Sequence, residues 1–513
     1  MKAISTEGVR LLGHLGYKVS GVQPNIGLEQ EFFLVPREAY YKRPDLQYCG
    51  RTIMGKTPPR GQELCDHYMA PLNQVAMKCM MEIQHECFLM GIPLNTRHRE
   101  VAPNQYECAP YFGIASNQID ENLMVMQLIE EISVKHGLVG LLHEKPFMGV
   151  NGSGKHNNFS LGTPEGVNLF NGPQTTKMSG NADTFPIIIA AVVQAVDKHG
   201  DLLRMSIAAP GNDFRLGACE APPAIISTYL GDQLTTFLKE FSEGKSGVDY
   251  KPTKKTVDVG VDGVAPFQVP AEDRNRTSPF PYGGHRFEFR AAGSSQNVSM
   301  INTVLCSAIA EAFKGFSDAI EGGAKAHDVA AASLKEHWKV IFNGNGYSEE
   351  WPIEAGKRGV WRIDSGVEAM AVLGSDKNIA LFETMNVMSK SESLARVEVM
   401  LQHYTGTVDV EAKTMVDMIQ QYVLPDCKKA ALDGGILSEL AAAVPKLEAG
   451  IMGIEAAAEE LDKAKLARVL RLETMEDIRK VCDKAEALVP PGLWTLGTYK
   501  ELLFLDSQQG ASA

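Results

Sequence analysis

The 513-residue chain has no C-x-x-C pair among its nine cysteines, so it does not read as a disulfide framework, and a reduced compartment suits it better. It has no basic excess: 50 lysines and arginines against 63 aspartates and glutamates give a net charge of −13. That balance excludes a general nucleic-acid or membrane-surface binder, although a few local arginines suffice for anionic substrates. It has no long hydrophobic run, since "FPIIIAAVVQAV" (Phe185 to Val196) is too short to span a bilayer. The opening "MKAISTEGVRLLGHLGYKVSG" lacks the apolar core of a signal peptide and reads as a helix tail running into a strand, as if the chain began inside a fold. A cytoplasmic location is expected, with an organelle left open should a targeting segment precede residue 1. Internal repeats and low-complexity linkers are absent. What is present is ordinary for a globular protein with a sizeable core, with 44% hydrophobic and 22% charged residues.

Three regions follow from the patterning. Up to about residue 295, strand-like segments alternate with helices and glycine-rich turns. From there to about Asp426 the pattern is mostly helical. From about Lys428 to Leu488 an Ala/Leu/Glu/Lys-rich stretch keeps apolar residues three and four apart, which predicts long helices, a hairpin among the options, used for packing or subunit contact.

The stretch "PFMGVNGSGKHNNFSLG" contains G-x-x-x-x-G-K from Gly149 to Lys155, the start of a phosphate-binding P-loop. A P-loop continues with Ser or Thr and a helix. Here the next residue is His156, and "NNFSLG" has no helical period. It reads as a strand with His156, Asn158 and Ser160 on one face and Phe159 and Leu161 packed behind.

The strand "NIGLEQEFFLVPRE" puts Glu29 and Glu31 on one face and Leu28, Gln30 and Phe32 on the other. Glu100 and Glu107 in "TRHREVAPNQYECAP" have an odd separation, but "APNQ" supplies a turn, so both can face one site from two strand ends. "HRFEFR" places Arg286, Glu288 and Arg290 on one strand face. Each pattern alone has a plain reading as a solvated face or an ion-pair ladder. Together they make a polar sheet wall suited to two or three hard divalent cations, Mg²⁺ or Mn²⁺, with open positions for phosphate oxygens. Zinc fits less well without a cysteine cluster. Arg215, Arg274, Arg276, Arg286 and Arg290 supply forks for phosphate or carboxylate, and Glu220 sits on a Gly/Pro-rich loop able to close on a substrate and accept a proton.

"GLEQEFFLV", "RHREVAPNQYE", "NGSGKHNNFSL", "GACEAPPAI" and "DRNRTSPF…RFEFR", in this order, resemble glutamine synthetase. "RGQELCDHY", "LLHEKPFMGVNGSGKHNN" and "FNGNGYS" resemble its type III branch most closely, and the likeness runs from about Gly8 to Asp426. The resemblance implies an α+β fold: a glutamine synthetase/guanidine kinase-like catalytic domain with an antiparallel sheet wall over residues 1–325, a helical continuation over 326–427 and a helical C-terminal extension over 428–513. It implies ATP-dependent joining of ammonium to L-glutamate through γ-glutamyl phosphate. One metal ion would be held by Glu31, Glu100 and Glu107, the other by Glu29, His156 and Glu288. Asn151 and Gly152 would line the glutamate site near its amino group, and Arg215 and Arg290 would grip its carboxylate. Arg276 would face the transferred phosphoryl group, Arg286 would contact nucleotide phosphate, and Glu220 would shield the acyl phosphate and help deprotonate ammonium. A homo-oligomer of stacked rings, a dodecamer, is also implied.

Some features depart from the family pattern. Where the type I branch has a further arginine, five residues after Arg276, this chain has Pro281. The Arg215–Glu220 and Glu100–Glu107 spacings are each one residue shorter than in type I. The family's N-terminal β-grasp domain, whose aspartate completes a neighbour's ammonium site, has no counterpart in the short stretch before the first catalytic strand, so a fragment or a reduced shared site is expected. The competing readings are a γ-glutamyl ligase for an organic amine and a truncated or catalytically silent relative with a structural or regulatory role. A guanidino kinase fits poorly beside the glutamate loop and flap.

Overall fold

In the computed structural model, which describes residues 1–217, 221–253, 255–269 and 275–505, a single long strand organises the catalytic part. This strand, β1 (Gln23–Pro36), gains its length from apolar β-formers at Ile26, Leu28 and Phe32 to Val35, and ends at Pro36, which has no N–H to donate to a ladder. It pairs antiparallel with four of the six shorter strands of its sheet. The six are β2 (Leu94–Arg99), β3 (Gln105–Pro110), β4 (Gly113–Ile114), β5 (Leu138–Leu141), β6 (Lys155–Gly162) and β7 (Phe287–Phe289), of which β3, β4, β5 and β6 pair with β1 directly. The main sheet order is β7-β6-β1-β3-β2, with β4 and β5 pairing β1 off that path. The antiparallel wall expected from the sequence is therefore present.

The two faces of β1 do different work. Ile26 and Leu28 enter the main core, which includes Phe159 and Leu161 of β6 and the helix Thr184–Lys198. That helix carries the sequence's longest apolar run, is apolar nearly all round and is buried accordingly. Farther along, Phe32 and Leu34 pack on the helices Gln74–Leu89 and Ala115–Lys135. The opposite face carries Glu29 and Glu31, then Phe33 and Val35, which are covered by Phe147 and by Tyr499, Leu502 and Leu503 near the end of the described chain. The C-terminal segment thus closes one end of the carboxylate face.

The opening residues form the helix Lys2–His14, as the sequence predicts, with Ile4, Leu11 and Leu12 buried toward the core it shares with the helix Ser299–Glu321. Downstream, the helix Lys390–Met418 continues through a π-helical turn at Ile419–Val423 into Leu424–Lys429. Pro425 lacks an N–H and its ring crowds the preceding turn, which accounts for the widening just before it. The helices Gly434–Ala456, Glu460–Val469 and Met475–Leu488 pack back on this long helix, in one apolar cluster that also takes in Ile53 and Met54. No helix among the described residues is long and apolar enough to cross a membrane.

Charges also tie the C-terminal helices to the catalytic part. Glu411 receives two hydrogen bonds of 2.8 Å from Arg51 and bonds of 2.7 and 2.8 Å from Arg471, with all three side chains buried. Burial alone would raise the Glu411 pKa; the guanidiniums of Arg471 and Arg51 outweigh it and hold the group well below the usual carboxylate range. Both guanidiniums also stack against the Phe214 ring, at 4.4 and 4.7 Å.

Candidate active site

Strand register assembles the acidic wall. Glu29 faces His156 across β1 and β6, and Glu31 faces Glu107 across β1 and β3. Glu288 on β7 lies opposite Asn158, two residues along β6 from His156. His156 Nδ1 is 2.8 Å from a Glu29 oxygen and 3.5 Å from Glu288, and its Nε2 is 3.9 Å from Glu31. Burial and Arg290 disfavour charge on this imidazole, yet the neighbouring Glu29 and Glu31 raise its pKa.

Glu100 joins through the turn after β2. Its N–H donates to the Gln105 carbonyl at 2.8 Å, and Asn104 takes φ 57°, a left-handed conformation that asparagine tolerates. This reverses the chain and undoes the odd spacing. Burial, followed by the charges of Glu31 and Glu107, pushes the Glu100 carboxyl up to about 9. Burial raises Glu107 too, against the pull of His98.

Three sets of donor atoms lie within 4.8 Å of one another: Glu29, His156 and Glu288; Glu31, Glu107 and His156; and His98, Glu100 and Glu107. The first is the set expected for one ion. The second expected set, Glu31, Glu100 and Glu107, is divided: Glu107 belongs to two groups, one with Glu31 and His156 and the other with Glu100 and His98. Oxygen-rich donors, clustered carboxylates and carboxyls driven toward protonation fit a site completed by hard divalent cations.

His98 was missed by sequence reasoning. Its Nε2 is 3.0 Å from Glu107, its partner in strand register, and the Glu107 hydrogen bond pushes its pKa up to about 9. The signal was available, because His98 stands two residues before Glu100 and shares its strand face.

The wall borders two cavities. One, of about 380 Å³, is lined by Glu29, Glu31, Glu100, Glu107, His156, Asn151, Gly152, Arg276 and Arg290, together with Gln62 and Tyr347. The other, of about 260 Å³, is lined by Asn25, Tyr111, Phe112, Asn158, Ser160 and Arg286, and again by Glu29. Glu29 borders both.

The glycine-rich segment is not a P-loop. It leads into β6, and Lys155 is buried, with Nζ donating to the Gln296 carbonyl at 2.7 Å. Burial pushes that ammonium down to about 7. Glycine is required at two points by close approach. A Cβ on Gly152 would lie 2.4 Å from the Glu144 carbonyl oxygen, and one on Gly154 would lie 2.0 Å from Arg215 Nη2. Asn151 exchanges two hydrogen bonds with Gln62, at 2.6 and 2.7 Å.

The arginines divide. Arg290 lines the larger cavity and donates to Glu288 at 2.6 Å. Arg286 lines the smaller one and donates to Asn158 at 2.6 Å. Arg276 is exposed at the larger cavity. Arg215, expected to grip substrate, does not line either cavity. It is buried beneath the glycine segment and donates to the carbonyl of Ala292 at 3.0 Å and that of Arg290 at 3.4 Å. The space left by Gly154 draws its guanidinium inward, where it braces the chain leaving β7. Glu220 and Arg274 lie outside the described residues.

Comparison with known proteins agrees with this geometry. The family model described as the glutamine synthetase catalytic domain matches residues 13–198, and that of the glutamine synthetase C-terminal domain matches residues 325–436. The chain is 38% identical to a type-3 glutamine synthetase of Dictyostelium discoideum, over 98% of this chain and 73% of the relative. It is 36% identical to a glutamine synthetase of Butyrivibrio fibrisolvens, over 98% of this chain and 76% of the relative. A glutamine synthetase of Bacteroides fragilis is 40% identical over 79% of this chain and 57% of its own length. With an acidic wall shared by two cavities and relatives aligned along nearly its whole length, the chain belongs to the glutamine synthetase family.

Proposed function

We propose that the chain is an ATP-dependent glutamate–ammonia ligase, making L-glutamine, ADP and phosphate through γ-glutamyl phosphate. The observation that carries this reading is the placing of Glu29 between two cavities, one lined by Arg286, the other by Asn151, Gly152, Arg276 and Arg290. A nucleotide in the smaller cavity and glutamate in the larger would meet across the wall. Mg²⁺ or Mn²⁺ ions, two or three per site, would be held by Glu29, His156 and Glu288 and by Glu31, Glu107, Glu100 and His98; when bound, they neutralise phosphate charge.

The chain's own residues then position and balance charge. Arg290 and the Asn151–Gly152 segment hold the amino-acid end of glutamate, with Gln62 fixing the Asn151 amide. A γ-carboxylate oxygen attacks the terminal phosphorus of ATP, and the bond to ADP breaks with its electron pair on ADP. Arg276 offsets the charge of the moving phosphoryl group. Ammonium gives a proton to Glu220, and the resulting ammonia attacks the acyl carbon. The carbon–oxygen bond breaks with its electron pair on the departing phosphate, which takes up the second proton shed by the nitrogen. Arg215 serves as a brace under this cavity. Assembly into stacked rings is supported by exposed apolar side chains beside the site, Leu64 and Met69 among them.

The test is product analysis of the purified chain with Mg²⁺, ATP, glutamate and either ammonium or a panel of alkylamines. Glutamine formed in step with ADP is expected. Turnover with an alkylamine and none with ammonium would replace ammonia as the nucleophile.

A further inference from the structure

We propose that a cavity of about 930 Å³ between the C-terminal segment and the loop at Lys56–Pro59 is a regulatory site for a small organic anion bearing two or more carboxylate or phosphate groups. The cavity is larger than either cavity at the acidic wall and falls within the size range of ligand pockets. It is not lined by any residue of that wall.

The lining charge selects an anion. Lys42, Lys56 and Lys500 border the cavity along with Glu486 and Glu501. Lys42 is paired with Glu501 at 2.9 Å, whereas Lys56 and Lys500 form no direct ion pair among the described residues, although Lys56 lies close enough to Glu486 to act on it electrostatically. Glu486 accepts the Lys56 backbone N–H at 2.9 Å, so one of its oxygens is already engaged by the main chain. Three lysines against two carboxylates at one cavity, two of the lysines without a direct ion pair, stand out on a chain of net charge −13. Val489, Trp494 and Leu496 add an apolar wall for a carbon skeleton.

The same loop reaches the proposed substrate site. Its Gly55 and Lys56 N–H groups are held by Asp483 at 2.6 Å and Glu486 at 2.9 Å. Thr57, which lines the cavity, packs so closely on Gly149 that a Cβ there would lie 3.2 Å from its hydroxyl. A few residues on, Gln62 holds Asn151 by two hydrogen bonds. An anion drawing Lys56 toward Lys500 therefore bears on the loop that positions Asn151, and linkage makes the effect reciprocal.

The experiment uses the full chain and two probes: tricarballylate, which carries only carboxylates, and phosphoglycolate, which adds a phosphate. Titration calorimetry measures their binding to the wild type and to a Lys56→Met/Lys500→Met double variant, whose replaced side chains are exposed. At least one probe is expected to bind saturably, and the variant to weaken it by about tenfold or more. The bound probe is expected to change glutamate affinity by at least about fivefold in the wild type alone. No binding of either probe, undiminished binding to the variant, or an unchanged glutamate affinity would each overturn the proposal. None of these readouts requires turnover, so they stand apart from the test of the ligase reaction.

Discussion

Glu31 and Glu107 face each other directly across two antiparallel strands, and His156 offers a donor atom within 4.8 Å of both. Like charges in such register oppose pairing unless a cation or proton sits between them. Mg²⁺ or Mn²⁺ is therefore expected to raise the Tm of the wild type, by the equivalent of about 2.7 kcal/mol at a hundredfold excess over Kd. The rise should shrink in Glu31→Gln and Glu107→Gln. A Tm indifferent to metal and chelator would count against the wall as a cation site.

Glu29 is the residue common to both cavities. Glu29→Ala is expected to keep the wild-type circular dichroism while lowering metal-dependent ADP formation by more than about 100-fold. Wild-type turnover would remove Glu29 from the reaction.

The Arg51–Glu411–Arg471 cluster is a stability element remote from the acidic wall. Glu411→Gln leaves two buried guanidiniums short of their counter-charge and is expected to cost about 3–5 kcal/mol in reversible denaturation. A loss under about 1 kcal/mol, typical of exposed pairs, would show that the cluster contributes little.

The half-buried His143 gives a pH dependence of definite sign. Burial pushes its imidazole down to about 4, with Glu144 opposing and Arg51 and Arg471 reinforcing the shift. Its Nδ1 accepts the Lys145 N–H at 2.9 Å, which suits the neutral ring. The unfolded chain takes up this proton near its ordinary value of 6.5 while the folded chain does not. The stabilisation is thus present above that pH and is lost as pH falls toward 4, by about 3 kcal/mol in all. His143→Asn should flatten the pH dependence of stability in this window; an unchanged slope would assign it to other groups.

Much of the site was legible because it is built on strands. Period-two alternation put Glu29 beside Glu31 and His156 beside Asn158, and the "APNQ" turn brought Glu100 and Glu107 to one place. Alternation cannot report cross-strand register, which gives Glu107 both His98 and Glu31 as neighbours and divides the expected Glu31, Glu100 and Glu107 set. Nor could it show that the empty volume at Gly154 draws Arg215 inward, away from the cavities. The helical tail was readable as packing material from its apolar spacing. Its junctions were not, because the Arg51–Glu411 and Arg471–Glu411 pairs join residues far apart in sequence.

The most direct test of the central claim is to follow isotopically labelled oxygen from the γ-carboxylate of glutamate during turnover with ATP and ammonium. If γ-glutamyl phosphate forms at the acidic wall, one labelled oxygen appears in the released phosphate for each glutamine made. Glutamine formed with unlabelled phosphate would contradict transfer of the phosphoryl group to glutamate.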